Sequence, residues 1–339
     1  MNLIDNIAQK LVAKGKGILA ADESLPTIEK RFKTINIESN EENRRDYREL
    51  LFTTDGAEEF ISGVILFEET LESSAKDGTA FPKLLQNKGI IPGIKVDRGV
   101  VPLPGTDDEK DTQGLDDLGK RLEKYKEIGA QFAKWRAVIN IGDGIPTKLC
   151  IDANAHSLAR YAAITQAAGL VPIVEPEVLM DGDHDIHRCE EVTLNTLQHV
   201  FHQLYHHNVR LEGMLLKPNM VISGLKCPTQ ADADEVAEAT IRCFKRVLPP
   251  ALQGAVFLSG GQSTVVATEN LNAMNKRKEN LPWELSFSYG RALQETVLNA
   301  WKGEDAQGAE AQKCFYHRAR CNGMARYGKY TKEMEEHAA

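Results

Sequence analysis

The sequence predicts a single α/β domain over residues 1–339, folded as a (β/α)8 TIM barrel with extra N-terminal helices and a short C-terminal tail. Eight short apolar runs recur along the chain. Polar loops and longer helical patterns separate the runs, and no linker divides the chain. Strands that alternate with helices indicate a parallel sheet, and eight such units favour a closed barrel. A doubly wound open sheet is the alternative fold that this alternation leaves open.

The predicted barrel strands lie between about residues 17 and 290. They are the apolar runs Gly17–Ala21, Ile61–Phe67, Ile90–Val96, Phe132–Val138, Leu170–Val174, Met214–Leu216, Ala255–Leu258 and Leu285–Ser288. Helical patterns lie between them at Asp116–Ile128, Ala153–Ala168, Val192–His206, Asp232–Arg246 and from Gln262 to about Asn275.

Other segments fall outside this repeat. Residues 1–16 predict an extra N-terminal helix, and a strongly charged helix is expected to start near Ser39, where Ser-Asn-Glu-Glu resembles a capping box. Pro102–Gly114 is predicted to be an exposed polar loop. Residues 305–339 are predicted to be a C-terminal helical region and tail, in which residues 331–339 form a mobile end.

The composition indicates an ordinary globular protein that acts on small molecules. The chain has 42% hydrophobic and 27% charged residues and a net charge of −8, which argues against a general nucleic-acid binder. No apolar run approaches the roughly 20 residues that span a bilayer, and the first residues are predicted to form a polar-faced helix rather than a signal peptide. The six cysteines are scattered without a C-x-x-C pair. That pattern is typical of reduced thiols, so we expect a cytoplasmic protein.

Charged and hydroxyl residues cluster at or just past the C-terminal ends of the predicted strands. They include Asp22, Ser24, Lys95, Lys134, Arg136, Glu175, Glu177, Lys217, Ser259 and Arg291. Side chains alternate along a strand, so Lys134 and Arg136 share one face, as do Glu175 and Glu177. The outer face of a barrel packs against helices, so these pairs should point inward, where barrel active sites lie. A solvated strand end explains any one pair but not their convergence.

Lys217 is the candidate nucleophile. Burial would disfavour its charged form, and a neutral amine can form a Schiff base with a carbonyl substrate. We expect the neighbouring Lys134 to disfavour protonation further through like-charge repulsion. By itself this segment is more typical of a strand-end lysine with its head group in solvent. The surrounding acids and bases favour the catalytic role.

The last two strands indicate a phosphate site. Ser259-Gly260-Gly261 passes from a strand into a helical pattern, and glycine backbone and a helix N-terminus both favour a bound anion. The loops after the seventh and eighth barrel strands often hold phosphate. Gly290 and Arg291 follow the eighth, and arginine can bind a phosphate with two hydrogen bonds.

These residues, taken together, show that the chain closely resembles class I fructose-1,6-bisphosphate aldolases, the Schiff-base-forming type. The resemblance runs from about residue 14 to residue 331. It rests on KGKGILAADES, EENRRDYRELL, GVILFEETL, GIKVDRGVVPLPGT, TQGLDDL, FAKWRAV, ANAHSLARYA, VPIVEPEVL, DGDHDI, LEGMLLKPNMV, FLSGGQS, NLNAMN, LSFSYGRALQ and GKYT, in the family's order. It implies a glycolytic and gluconeogenic lyase that reversibly cleaves fructose 1,6-bisphosphate to dihydroxyacetone phosphate and glyceraldehyde 3-phosphate. It also implies no metal or other cofactor and a homotetramer.

The resemblance further implies a role for each matching residue. Lys217 would form the Schiff base with C2 of the ketose, and Glu175 would be the general acid/base, with Glu177 in the same network. Lys134 would keep this network polarised, and Asp22 would lie near the C4 hydroxyl. The remaining matches would bind substrate: Ser259, Gly260, Gly290 and Arg291 at the 1-phosphate, Lys95, Ser24, Thr27 and Arg31 on the 6-phosphate side, and Arg136 and Arg44 as further substrate or phosphate contacts.

One departure from the family pattern concerns the end of the chain. Animal members end in a tyrosine that helps to protonate the enamine, whereas the last tyrosine here is Tyr330. We therefore expect that another group takes this role. The short tail is more similar to bacterial members.

Three other functions remain open from the sequence. Histidines 184, 187, 199, 202 and 206 would suit a metal-dependent aldolase or hydrolase, although they lie in or beside a helix. Another Schiff-base barrel, such as a transaldolase or a deoxyribose-phosphate aldolase, is a second alternative, and the two phosphate sites and the order of the motifs argue against it. A scaffold or surface-binding role has no basic or aromatic stripe to support it. The preference between fructose 1,6-bisphosphate and fructose 1-phosphate also stays open.

Overall fold

The eight predicted strands form one closed barrel. The structure is a computed structural model that describes residues 2–277 and 280–336. Every barrel strand pairs in parallel with both neighbours, and the first strand pairs with the last. The doubly wound alternative is therefore wrong, and the predicted (β/α)8 barrel is confirmed.

The strands, in chain order, fall into the barrel and one separate hairpin. They are β1 (Gly17–Ala21), β2 (Ile61–Leu66), β3 (Ile91–Lys95), β4 (Val100–Pro102), β5 (Lys110–Thr112), β6 (Phe132–Ile139), β7 (Val171–Val178), β8 (Leu215–Leu216), β9 (Gly254–Phe257) and β10 (Glu284–Tyr289). Strands β4 and β5 form the hairpin, and the barrel order is β1-β10-β9-β8-β7-β6-β3-β2.

The helices surround the barrel and extend it at both chain ends. They are α1 (Leu3–Leu11), α2 (Leu25–Lys33), α3 (Glu41–Thr53), α4 (Glu68–Leu71), α5 (Phe81–Asn87), α6 (Leu118–Ile128), α7 (Lys148–Ala167), α8 (Ile186–His206), α9 (Ala233–Val247), α10 (Thr264–Lys276), α11 (Arg291–Trp301), α12 (Gly308–Arg326) and α13 (Glu333–Glu336). All five predicted helical patterns are helices, and the extra N-terminal helix is α1. Helices α7 and α8 begin earlier than predicted because Thr147 and Asp185 cap their first turns.

Two local predictions need correction. The cap of the charged helix α3 is Asn40, not Ser39, because the Asn40 side chain accepts a hydrogen bond from the Asn43 backbone N–H at 2.8 Å. The loop Pro102–Gly114 is not wholly exposed. Part of it forms the β4–β5 hairpin, and its buried Glu109 accepts hydrogen bonds from the backbone and hydroxyl of Thr147 at the start of α7.

The N-terminal end of the barrel is closed by apolar side chains. Helix α1 lies across this end, and Ile4 and Leu11 belong to the same buried cluster as Phe132 and Leu215 from inside the barrel. The Phe132 ring lies against Gly93 so closely that a Cβ there would be 2.3 Å from it. Glycine is required at this point because any side chain would overlap the ring. Apolar side chains therefore fill the barrel interior at its N-terminal end.

Strand β6 shows the predicted alternation. The Trp135 ring faces outward, is fully buried and stacks on Tyr161 of α7 with ring centroids 5.5 Å apart. Its neighbours Lys134 and Arg136 face the other way, into the cavity at the strand ends. The packing of one face against α7 therefore fixes the direction of the charged pair.

The C-terminal region packs as a helix followed by a docked tail. The predicted mobile end, residues 331–339, includes α13, whose Glu335 contacts Arg318 and Tyr330. Residues 337–339 lie outside the described residues. None of the helices in the described ranges is long and apolar enough to cross a membrane.

Candidate active site

All but one of the predicted site residues line one cavity of about 860 Å³ at the C-terminal ends of the barrel strands. They are Asp22, Ser24, Thr27, Arg31, Lys95, Lys134, Arg136, Glu175, Glu177, Lys217, Ser259, Gly260, Gly290 and Arg291. Parallel strands carry their carboxyl ends to the same edge, so residues far apart in sequence meet there. The structure therefore brings these predicted residues together on one rim.

Lys217 is fixed at the end of the short strand β8. Its backbone N–H donates to the Val174 carbonyl at 2.8 Å, which continues the pairing with β7. Pro218 follows and has no N–H to extend the ladder. The side chain is only 4% exposed, and its Nζ lies 3.0 Å from Oε1 of Glu175. Lys217 is thus a buried amine beside a carboxylate, not a solvated strand-end lysine.

Glu175 joins two lysines. Its Oε2 atom lies 3.1 Å from Nζ of Lys134, while its Oε1 atom contacts Lys217. Lys134 also pairs with Asp22 at 2.7 Å, and Asp97 lies 3.9 Å from the same ammonium. Two lysines and three carboxylates therefore form one buried network at the centre of the cavity.

The network holds its charges firmly. Burial alone would lower the pKa of Lys134, but Asp22, Glu175 and Asp97 outweigh it and raise that pKa well above its ordinary value. Burial alone would raise the pKa of Asp22, but Lys134 and Lys217 hold it well below its usual range. Three carboxylates therefore balance the charge of Lys134.

A second ion pair flanks this network. Arg136 Nε donates to Oε2 of Glu177 across the β6–β7 pair. Burial opposes the charge of Arg136, but Glu177 outweighs it and raises the pKa of the guanidinium. A Cβ at Gly260 would lie 2.9 Å from the Glu177 carboxylate. The glycine therefore lets the loop after β9 approach this pair closely.

Cationic groups and hydroxyls line the cavity on the β1 and β3 side. Ser24 and Thr27 hydroxyl oxygens are 3.0 Å apart at the start of α2. Arg31 follows one turn later on α2 and pairs with Glu23. Lys95 Nζ contacts Asp97 Oδ1 at 2.6 Å. These groups can receive an anionic end of a ligand.

A second set of groups that can receive an anion lies at the ends of β9 and β10. Ser259 and Gly260 begin the loop into α10, while Gly290 and Arg291 begin α11. Arg291 donates to the Gln262 carbonyl at 2.9 Å, which links the two loops. A Cβ at Gly290 would lie 3.6 Å from Nη2 of Arg31, so Arg31 borders this set as well as the first.

Arg44 is the predicted contact that the structure does not bring to the cavity. Its Nε donates to Glu69 Oε2 at 2.7 Å, and its Nη1 donates to the Ser39 carbonyl at 2.5 Å. These partners lie on and beside α3 and α4, away from the cavity lining. Because Glu69 and Ser39 already satisfy the guanidinium, its expected contact with substrate has no support.

Several polar residues that line the cavity were not among the predicted set. Asp97 supports Lys95 and Lys134, and Glu23 supports Arg31. Both stand directly at strand ends, so the sequence carried a signal for them. The Ser288 hydroxyl is buried in the cavity wall without a hydrogen-bond partner among the described residues. Arg48 and Gln294 donate hydrogen bonds to the Glu23 carboxylate, and only the fold reveals these contacts.

The histidines that suggested a metal-dependent enzyme lie elsewhere. His199, His202 and His206 are on α8, whereas His184 and His187 lie at its N-terminal end, and none of the five lines the cavity. The cavity instead contains a buried amine, an adjacent carboxylate and two sets of polar groups that can bind anions. It suits covalent catalysis on a carbonyl compound with phosphate groups.

Comparison with known proteins gives the same result across the whole chain. The sequence model of the family described as fructose-bisphosphate aldolase class-I matches residues 3–339. The chain is 57% identical over 329 residues to a fructose-bisphosphate aldolase of Dictyostelium discoideum, covering 96% of this chain and 92% of that protein. It is 53% identical over 328 residues to fructose-bisphosphate aldolase C of Carassius auratus, covering 96% and 90%.

A solved structure agrees in fold. The fructose-bisphosphate aldolase of Plasmodium falciparum, crystallised with TRAP and a small-molecule inhibitor, superposes with a TM-score of 0.95 at 52% identity, covering 97% of this chain and 95% of that one. Barrel, cavity and sequence therefore agree, and this chain belongs to the class-I fructose-bisphosphate aldolase family.

Proposed function

We propose that this chain reversibly cleaves fructose 1,6-bisphosphate into dihydroxyacetone phosphate and glyceraldehyde 3-phosphate through a Schiff base on Lys217. The observation that carries the proposal is the buried Lys217 amine, 3.0 Å from Glu175 and inside a cavity with two anion-binding sets. The membership of the class-I aldolase family supports the same activity.

The reaction explains why an amine is needed. Cleavage of the C3–C4 bond passes the C4 hydroxyl proton to a carboxylate of the cavity, makes C4 a carbonyl and leaves the electron pair of the bond on C3. A protonated imine at C2 accepts that pair as an enamine, so no metal ion has to stabilise the charge. Imine formation releases the C2 oxygen as water, and a proton returned to C3 precedes hydrolysis of the imine. Lys217 is the one lysine that combines burial near the cavity centre with a direct carboxylate contact and no second acidic partner among the described residues.

Glu175 is the group that we assign to proton transfer. It bridges Lys217 and Lys134, so it can exchange protons with the reacting amine and with the departing C2 oxygen. The strongly lowered pKa of Asp22 makes that carboxylate a weak base. We therefore infer that Asp22 orients the C4 hydroxyl and Lys134, whereas Glu177 orients Arg136 toward the substrate.

The two anion-binding sets favour a bisphosphate. Ser259, Gly260, Gly290 and Arg291 would bind the 1-phosphate, and Ser24, Thr27, Arg31 and Lys95 the 6-phosphate. A substrate with a single phosphate would leave one cationic set without its anion. We therefore infer a higher kcat/KM for fructose 1,6-bisphosphate than for fructose 1-phosphate.

The central experiment traps the covalent intermediate. The protein is treated with fructose 1,6-bisphosphate and borohydride, digested and analysed by mass spectrometry. We expect an adduct on Lys217, and we expect Lys217→Met to abolish turnover and trapping. Lys226→Met is the matched control, because Lys226 is exposed and lies outside the cavity. An adduct on a different residue, or normal turnover of Lys217→Met, would overturn the assignment.

Chelation separates this function from a metal-dependent aldolase. Turnover should be indifferent to EDTA, whereas a metal-dependent enzyme would lose activity. The resemblance also leads us to propose a cytoplasmic homotetramer. Light scattering should then give about 150 kDa, four times the chain mass of 37.6 kDa.

A further inference from the structure

A cluster of three potential metal-ligating side chains lies far from the cavity, where the C-terminal tail meets α12. His317 and Cys321 stand four residues apart on this helix, so both project from the same face. Glu335 of α13 reaches them from the tail. Within residues 2–277 and 280–336, the donor atoms of these three side chains all lie within 4.8 Å of one another.

We propose that His317, Cys321 and Glu335 bind a zinc ion that fastens the C-terminal tail to α12. The imidazole, thiolate and carboxylate are the three ligand types that zinc commonly takes from proteins. The proposal is independent of the aldolase activity, because none of the three residues lines the catalytic cavity.

The separations fit a tetrahedral ion. The Nε2 atom of His317 lies 3.6 Å from Sγ of Cys321 and 3.5 Å from Oε2 of Glu335. Zinc bonds of about 2.0–2.3 Å at tetrahedral angles place two ligand atoms roughly 3.3–3.6 Å apart. The histidine nitrogen therefore already stands at coordination distance from both partners, before any ion enters.

Neighbouring groups hold the carboxylate in place. Glu335 Oε1 accepts hydrogen bonds from the Tyr330 hydroxyl at 2.8 Å and from Arg318 Nη1 at 2.6 Å. Its Oε2 atom also accepts from Arg318 Nη1, at 2.5 Å, and faces Nε2 of His317 at 3.5 Å. Arg318 is itself fixed by the Thr268 hydroxyl at 2.8 Å. Such outer contacts orient metal ligands in proteins. The thiolate and the carboxylate together balance the two charges of zinc.

The site is accessible from one side. His317 also lines a cavity of about 300 Å³ between α12 and the end of α3, together with Thr54, Asp55 and Gln312. This cavity gives an ion a path to the His317 imidazole. Binding would release one thiol proton from Cys321 to solvent, and no redox step is involved.

The test uses the full-length, reduced protein after treatment with EDTA. Cobalt(II) is the probe, because its bond to a thiolate gives a charge-transfer absorption band. His202 and His206 on α8 have their Nε2 atoms 3.0 Å apart and can take up metal adventitiously, so all variants carry His202→Ala and His206→Ala. We expect the band to saturate at one cobalt per chain and to disappear when zinc is added.

Variants identify the ligands. Cys321→Ser should lose the charge-transfer band, whereas Cys314→Ser, a control on the same helix outside the cluster, should keep it. Glu335→Gln, at a partly exposed position, should weaken cobalt binding at least tenfold while the protein stays folded. Zinc should also raise the Tm of the parent protein but not that of Glu335→Gln. A parent protein without the band, or a band that persists in Cys321→Ser, would overturn the proposal.

Discussion

The two ends of the barrel both bury positive charge, but they satisfy it in opposite ways. At the C-terminal end, Lys134 and Lys217 contact carboxylates directly in the lining of a cavity. At the N-terminal end, the guanidinium of Arg326 is 5% exposed and donates to the backbone carbonyls of Val12, Ala13, Lys16 and Leu285 and to Glu284. The lysines and carboxylates of the C-terminal end border a cavity. At the N-terminal end, every N–H group of the Arg326 guanidinium donates to a fixed acceptor.

Because of this difference, we expect the C-terminal end to serve the reaction and the N-terminal end to stabilise the fold. The carboxylates around Lys134 can exchange protons and accept ligand contacts because solvent and substrate reach them. Arg326 connects α12, the end of α1 and the starts of β1 and β10, and no ligand can reach it. Substitutions at the C-terminal end should therefore change turnover more than stability, and substitutions at the N-terminal end should do the reverse.

The largest expected effect is at Glu175. Glu175→Gln keeps the shape of the side chain but removes the proton-transfer group, which should lower kcat by on the order of 10²–10⁴-fold. Urea unfolding should show a smaller change, because the amide carbonyl can still accept from one of the two lysines and Lys134 keeps Asp22 as a partner. Glu212→Gln is the exposed control and should behave as the parent protein. A Glu175→Gln protein with full turnover would contradict the role assigned to this carboxylate.

The opposite pattern is expected at Arg326. Arg326→Met fills similar space but leaves several buried carbonyls without donors, which should cost about 3–5 kcal/mol in the free energy of unfolding. The folded fraction should keep its kcat, since the cavity lies at the other end of the barrel. Arg320→Met, an exposed position on the same helix, is the control. A large loss of kcat in fully folded Arg326→Met would break the comparison between the two ends.

The pH dependence of stability should also distinguish the two ends of the barrel. The pKa of folded Asp22 lies below its ordinary value of 3.8, so its ionised form stabilises the fold above that value. This contribution is lost as the pH falls through the folded pKa. The Tm difference between the parent and Asp22→Asn should therefore narrow from about pH 6 to about pH 3. Arg326 has no such dependence in this range, and a constant difference for Asp22→Asn would show that its carboxylate is not held ionised.

Sequence reasoning reached the barrel and most of the cavity for one physical reason. Alternation along β6 and β7 places Lys134, Arg136, Glu175 and Glu177 by local geometry alone, and the parallel sheet brings strand ends together. The burial of Glu109 and the capping role of Asn40 were not predicted, because single hydrogen bonds and not a sequence pattern decide them. The structural roles of Arg326, Arg48 and Gln294 were not predicted either, because the partners of these residues are distant in sequence and meet them only in the folded chain.

Arg44 gives the smallest expected effect and tests the limit of inference from a matching motif. Its side chain pairs with Glu69 on the outside of the cavity, where a partly exposed ion pair contributes about 0–1 kcal/mol. Arg44→Gln should change KM for fructose 1,6-bisphosphate by less than about threefold, which corresponds to under 1 kcal/mol. Arg31→Gln, in the same assay, should raise KM far more because Arg31 lines the cavity. If Arg44→Gln raised KM as much as Arg31→Gln, the Arg44 guanidinium would have to leave Glu69 and reach the substrate.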